Sequence, residues 1–165
     1  MRASTCRLFT RVSADPSFVH APALRGRLGT ADDKAAFELK SKALIAQYDA
    51  FEPRDVPGEH VNGALTVGEN IGDLGGLTIG HTAYVISQGG SADLEARRRL
   101  FLNWAYCWRT KRRKEQALQF LTIDPHSPPE FRANIVRNLD EFHEVYDTTE
   151  GDGLWLDPAE RVRIW

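Results

Sequence analysis

Cysteine is scarce in this 165-residue chain, which has only Cys6 and Cys107. Two cysteines cannot build a disulfide framework, nor a zinc site made of thiolates alone, since such a site needs three or four. Long apolar runs are lacking as well. The most apolar stretch, residues 71–86, contains Asp73, His81 and four glycines, so it falls short of the roughly 20 apolar residues that a membrane helix needs. We therefore predict no membrane-spanning segment.

An excess of positive charge is also missing, because 21 lysines and arginines stand against 23 acidic residues. This balance gives no global electrostatic argument for nucleic-acid binding. A basic run at residues 95–115 does surround Trp104 and Trp108, which leaves a nucleic-acid binder as an alternative. Both tryptophans fall on an apolar helix face, so we expect them in the core and predict no nucleic-acid partner.

Signals for β-strands are nearly absent, and the chain is predicted to be mainly α-helical. The spacing of apolar residues predicts helices over about 30–50, 67–87, 93–120, 130–138 and 140–146. Thr30 is a plausible N-cap of the first helix. Residues 89–90, both glycine, end the second helix. Residues 124–129 form a loop because of their prolines.

The N-terminal residues 1–29 carry five arginines and one acidic residue. They lack the apolar block of a secretory signal, although an Arg-rich start poor in acids also fits a transit peptide. We expect an atypical, disordered leader here. The folded region is predicted to cover residues 30–165.

Residues 68–76 hold two carboxylates, Glu69 and Asp73, at a spacing that puts them on one helical face. A cation would favour this pair: Glu69 would ligate a metal, and Asp73 would orient an imidazole bound to the same metal. Three glycines among positions 72–76 would fit a closely approaching neighbour. The alternative is that Glu69 complements the helix dipole and Asp73 is solvated. Spacing alone favours this alternative.

The proline-rich loop at residues 124–128 offers a second candidate. His126 there can hydrogen-bond a developing oxyanion, and Arg132 can hold a substrate carbonyl or carboxylate with its planar fork. The alternative is an ordinary surface loop in which Ser127 caps the following helix. Spacing alone favours this alternative too.

Longer strings of residues point to a family. Residues 62–77 resemble the signature of the neprilysin family of zinc metallopeptidases, Gly-Glu-Asn-Ile-Ala-Asp-x-Gly-Gly, with Gly72 in the place of alanine. The blocks at residues 101–109 and 124–132 resemble the family's next two conserved stretches, in the same order. Animal members carry a cysteine where this chain has Val162, so the chain is most similar to bacterial members.

The resemblance implies a helical, C-terminal part of a peptidase catalytic domain that hydrolyses peptide bonds with a zinc-activated water. It implies that Glu69 is the third zinc ligand and that Asp73 orients a zinc-binding histidine. It also implies that His126 stabilises the tetrahedral oxyanion and that Arg132 holds the substrate backbone. Zinc is the implied cofactor, and a peptide is the implied substrate.

The family's His-Glu-x-x-His helix is absent, since none of the five histidines has a partner four residues away. We therefore expect a fragment of a zinc metalloendopeptidase that is inactive alone, with the missing upstream half as a possible partner. The alternative is a non-catalytic interaction or regulatory module derived from the peptidase fold. The sequence leaves the compartment open between cytoplasm and export, with no signal peptide seen.

Overall fold

The structure, a computed structural model, describes residues 30–164. The predicted leader at residues 1–29 and the terminal Trp165 lie outside the described residues. Within residues 30–164 every regular element is a helix, which confirms the prediction of a mainly α-helical chain. The elements are α1 (Ala31–Asp49), α2 (Gly63–Ser87), α3 (Leu94–Cys107), α4 (Lys114–Ile123), α5 (Pro129–Ala133), a 3₁₀ turn (Asn134–Asn138) and α6 (Asp140–Tyr146).

The chain divides into two units between Leu39 and Lys40, within α1. In the first unit the start of α1 is capped as predicted. The Thr30 hydroxyl accepts a hydrogen bond from the Asp33 backbone N–H at 3.2 Å. The Asp33 carboxylate in turn accepts one from the Thr30 N–H at 2.8 Å. Together these bonds satisfy two backbone donors at the helix start.

The second unit, Lys40–Trp165, contains the hydrophobic core of the described residues. Every element of this unit except α4 contributes buried side chains to it. The cluster includes Leu44, Tyr48, Leu74, Leu77, Phe101, Trp104, Phe131, Ile135, Phe142 and Val145. Burying each of these side chains contributes on the order of 1.5–3 kcal/mol before the loss of conformational entropy.

Helix α2 begins at Gly63, four residues earlier than predicted. The side chain of Asn62 accepts a hydrogen bond from the Leu65 N–H at 2.9 Å and so caps the helix. Gly63 itself lies against α1, where a Cβ would be 2.4 Å from the carbonyl oxygen of Ile45. The predicted end is confirmed: α2 stops at Ser87, and the two glycines that follow have φ angles of 80° and 86°.

The single helix predicted over residues 93–120 is wrong, because α3 and α4 are separated by residues 108–113. At the end of α3 the N–H of Trp108 donates to the Ala105 carbonyl, at 3.2 Å, three residues back. Such bonds tighten and close the last turn of a helix. Of the two tryptophans expected in the core, Trp104 is buried and Trp108 is partly buried.

The C-terminal elements follow the prediction more closely. The segment expected as one helix over 130–138 is α5 followed by the 3₁₀ turn, and α6 has its predicted bounds. Ser127 does not cap α5 as the alternative reading proposed. Pro128 occupies that position, without a side-chain hydrogen bond. Among residues 30–164, no helix has the length and apolar character required to cross a membrane.

Candidate active site

The four predicted site residues lie together as two neighbouring pairs. Glu69 and Asp73 come from α2, His126 from the loop before α5, and Arg132 from α5. The Nε2 atom of His126 is 3.3 Å from a carboxylate oxygen of Glu69. Arg132 contacts Asp73 at 2.6 Å. The two motifs that the sequence singled out are therefore opposite faces of one site.

The positions of the two carboxylates on α2 argue against the alternatives, in which Glu69 complements the helix dipole and Asp73 is solvated. Glu69 lies more than a turn after Gly63, where α2 begins, and the first turn holds no acidic residue. The helix-dipole effect fades beyond the first turn, so it does not explain Glu69. Asp73 is not solvated, because its side chain is only 7% exposed.

The pair of Asp73 and Arg132 is bidentate. Arg132 donates from Nε to one carboxylate oxygen at 2.7 Å and from Nη2 to the other at 2.6 Å. Its guanidinium group also stacks on the ring of Trp108, 3.9 Å from the centroid. Burial raises the pKa of the Asp73 carboxyl, and the charge and hydrogen bonds of Arg132 oppose that rise. Since a guanidinium has five N–H donors, three remain for other acceptors.

His126 is oriented by the acidic residue two positions before it. The Oδ1 atom of Asp124 lies 2.8 Å from Nδ1 of the His126 ring and also accepts the backbone N–H of His126 at 2.9 Å. Partial burial acts to raise the pKa of Asp124, but these hydrogen bonds outweigh it and lower the pKa. The contact fixes the ring so that Nε2 faces Glu69.

A buried chain of hydrogen bonds ties this loop to α2. The Ser127 hydroxyl donates to the side-chain oxygen of Asn70 at 2.7 Å, and the Asn70 amide donates to the Thr66 hydroxyl at 3.0 Å. Asn70 is fully buried. Because Asn70 neighbours Glu69 and Ser127 neighbours His126, this chain sets the distance between the two site residues.

The sequence missed the roles of Asp124, Asn70, Ser127 and Trp108. The only signal for them was their place inside the family blocks quoted above. The close neighbour expected for the glycines among positions 72–76 is not found at two of them: outside its own helix, a Cβ at Gly72 or Gly76 would meet no described atom within 4 Å, and the same holds at Gly68. No described neighbour therefore explains these three glycines.

The donor set of the described residues does not hold a zinc ion by itself. Catalytic zinc sites use three protein ligands and a water. Among residues 30–164 no three His, Cys, Asp or Glu side chains are grouped so that they could hold a metal. Glu69 supplies one suitable carboxylate, so the site can accept zinc only if other residues complete the set.

Comparisons with known proteins identify the family of this chain. A family model described as peptidase family M13 matches residues 18–162. The neutral endopeptidase of Lactococcus lactis subsp. lactis (strain IL1403) is 41% identical over 135 residues, which is 81% of this chain and 20% of that protein. Human neprilysin is 32% identical over 145 residues, covering 82% of this chain and 19% of neprilysin.

Solved structures give the same result. The zinc metalloprotease Zmp1 of Mycobacterium tuberculosis, in complex with an inhibitor, matches with 52% identity and a TM-score of 0.79, over 82% of this chain and 22% of that one. PepO from Lactobacillus rhamnosis HN001 matches with 34% identity and a TM-score of 0.73, over 82% of this chain and 21% of that one. The chain thus spans about a fifth of the length of the curated relatives it matches.

Proposed function

Because the chain belongs to peptidase family M13, the neprilysin family, we propose that it supplies one face of the active site of a zinc metalloendopeptidase. The observation that carries the proposal is the meeting of Glu69 with His126 and of Asp73 with Arg132 in one cluster. An acid, an imidazole and an arginine fork are the groups that peptide hydrolysis uses around the scissile bond. We place this chain in the C-terminal part of the catalytic domain.

Glu69 is the proposed zinc ligand. Its carboxylate is 42% exposed, so it remains accessible to a metal ion. Asp73, one turn later, is the proposed partner of a zinc-binding imidazole from another segment. Each of its oxygens accepts one bond from Arg132, and each retains a lone pair for an imidazole N–H.

His126 and Arg132 are the proposed contacts to the peptide. His126 presents Nε2 toward Glu69, and a proton on that atom would donate to the oxyanion that forms on the scissile carbonyl. Arg132 would bind a backbone carbonyl of the substrate with the N–H groups that Asp73 leaves unused.

The isolated chain is proposed to be inactive. Glu69 is a single ligand where three are needed, and the sequence has no histidine pair at metal-binding spacing. We propose that a polypeptide segment carrying a His-Glu-x-x-His helix, the expected upstream half, is the partner that completes the site.

A chimera tests this proposal. Residues 30–165 replace the matching segment of the Lactococcus lactis neutral endopeptidase, and hydrolysis of a quenched fluorescent peptide is measured with and without a zinc chelator. We expect chelator-sensitive hydrolysis by the chimera, none by the isolated chain, and loss in the chimera on Glu69→Gln. The matched control is Glu115→Gln, an exposed residue of α4.

Activity of the isolated chain that needs zinc and Glu69 would overturn the proposed dependence on a partner. A chimera that folds but does not hydrolyse the peptide would contradict the proposed function.

A second candidate function is a non-catalytic interaction or regulatory module. The incomplete set of metal donors favours it, as do the exposed side chains of Ile79 and Ile86 on α2, since exposed apolar surface is typical of docking sites. An inactive but folded chimera would favour this candidate over the first.

A further inference from the structure

A cavity of about 630 Å³ adjoins the candidate active site. Its walls come from residues 53–56, the segment between α3 and α4, part of α4, and residues 126–134. His126 is one of its lining residues. The volume falls within the range of about 300–1,000 Å³ that is typical of ligand pockets, so the cavity is large enough to take part of a bound peptide.

The cavity is lined by more positive than negative charge. Three of its cations, Arg109, Lys111 and Arg112, form no ion pair with another residue in the range 30–164. Two of them are positioned by aromatic rings. The Arg109 guanidinium lies 5.3 Å from the centre of the Tyr106 ring, and that of Arg112 lies 4.6 Å from the centre of the Phe120 ring.

The acids of the same cavity do not neutralise these cations. Glu130 is occupied by Arg54, which donates from Nε to its carboxylate at 2.7 Å and from the backbone N–H at 3.1 Å. Asp55 is the other carboxylate among the lining residues. Three cations without ion pairs therefore face one unpaired acid.

We propose that this cavity binds a carboxylate of the peptide substrate, next to the peptide bond that His126 faces. This inference rests on the proposed function and specifies its substrate class: peptides that carry an acidic side chain, or their C-terminal carboxylate, close to the cleaved bond. The planar forks of Arg109 and Arg112 suit a carboxylate. The ring of Trp108 and the side chain of Leu121 line the same cavity and suit the apolar part of the peptide.

The test measures binding, not hydrolysis, so its failure is distinct from failure of the proposed function. Fluorescence anisotropy compares three labelled peptides on the full 165-residue chain. The first contains internal glutamates and has an amidated C-terminus. The second has glutamines instead and a free C-terminal carboxylate. The third has glutamines and an amidated end.

Two double variants distinguish binding in the cavity from attraction to the overall positive charge of this part of the chain. Arg109→Gln with Arg112→Gln removes the two guanidinium groups that line the cavity without an ion pair to another described residue. Arg113→Gln with Lys114→Gln removes two exposed cations from the same stretch that do not line it. None of the substituted side chains is buried, and circular dichroism checks that both variants keep the helical content of the parent chain.

We expect the first or second peptide to bind about tenfold more tightly than the third, since a hydrogen bond to a charged group is worth on the order of one decade in affinity. The cavity variant should remove most of that advantage, and the control variant should retain it. Tighter binding of the first peptide identifies a side-chain carboxylate as the group that the cavity binds. Tighter binding of the second identifies the C-terminal carboxylate. Equal binding of all three peptides, or equal weakening by both variants, would overturn the proposal.

Discussion

Asp73 and Arg132 form an ion pair whose two side chains are largely withdrawn from solvent, at 7% and 16% exposure. The pair is stabilising only while both members are present. Removing one charge leaves the other partly buried without its partner, and that arrangement costs more than the pair itself contributes. At the scale of single residues, this pair therefore joins α2 to α5 at the candidate site.

We predict that Asp73→Asn lowers the free energy of unfolding by about 3 kcal/mol, because Arg132 loses its counter-charge in a poorly solvated place. Urea unfolding of the chain measures this change. The matched control is Glu38→Gln, which breaks the exposed pair with Lys34 and should cost about 0.5 kcal/mol or less. Equal costs for the two variants would contradict the role given to the buried pair.

We predict that His126→Gln in the chimera lowers kcat about 100-fold and leaves the zinc content unchanged. Loss of one donor to the oxyanion lowers kcat by a factor on the order of 10²–10³. Peptide hydrolysis and metal analysis of the same samples measure both quantities. The exposed His60 provides the control substitution His60→Gln. A loss of zinc in His126→Gln would instead assign a metal-binding role to this residue.

The motifs of the sequence predicted which four residues to consider, and the structure brings all four together. Their supporting contacts could not be predicted, since they join positions far apart in the chain. The bond between Ser127 and Asn70, for example, spans 57 residues. Such a bond depends on how α2 packs against the loop before α5, which local periodicity does not determine.

At the scale of elements, two glycines of α2 differ in how closely a neighbour approaches them. Gly63 faces α1 closely, with Ile45 and Asp49 in the space that a Cβ would fill. Gly76 has no described atom within 4 Å of that space. The first glycine is needed for packing between helices, and the second only weakens the helix by its backbone entropy.

We predict opposite effects for alanine at these two positions. Gly76→Ala should raise the free energy of unfolding of the chain by about 1 kcal/mol, the difference in helix propensity. Gly63→Ala should lower it by about 1–3 kcal/mol through overpacking. Thermal or urea unfolding of both variants measures the difference. A stabilised Gly63→Ala would mean that α1 and α2 do not approach as described.

The elements themselves were largely predictable. The cap at Thr30 and the glycines after α2 are local signals, and they correctly predicted where α1 begins and where α2 ends. The break between α3 and α4 was missed because residues 108–113 contain neither proline nor glycine. In the structure α3 ends at Cys107, and the next residue, Trp108, stacks on Arg132.

At the scale of the whole molecule, two buried histidines connect the elements. His81 accepts a hydrogen bond from Arg97 at 3.3 Å, and Arg97 in turn pairs with Glu144. His143 contacts the Arg137 carbonyl at 2.8 Å through Nε2 and the Thr148 hydroxyl through Nδ1. Burial lowers the pKa of both imidazoles, although Glu141 and Glu144 act to raise that of His81.

These shifts predict that the fold loses stability in mild acid. The unfolded chain takes up protons on both histidines near pH 6.5, while the folded chain still keeps them neutral. Stability is therefore complete above about pH 6.5 and falls as the pH decreases below it, by at most about 1.4 kcal/mol per pH unit for each histidine. Urea midpoints between about pH 7.5 and pH 5.5 measure this slope.

The double variant His81→Gln with His143→Gln should flatten the dependence of stability on pH. His60→Gln, at an exposed position, should leave it intact. An unchanged slope in the double variant would show that other groups cause the acid sensitivity.

The central claim at this scale is that the chain contributes Glu69 as one ligand of a zinc site that other residues complete. The most direct measurement is the zinc content of the purified chimera, compared between Glu69→Gln and the control Glu115→Gln. The account predicts about one zinc per molecule in the parent and the control, as in catalytic sites with three protein ligands, and little zinc in Glu69→Gln. Full zinc occupancy in Glu69→Gln would contradict it.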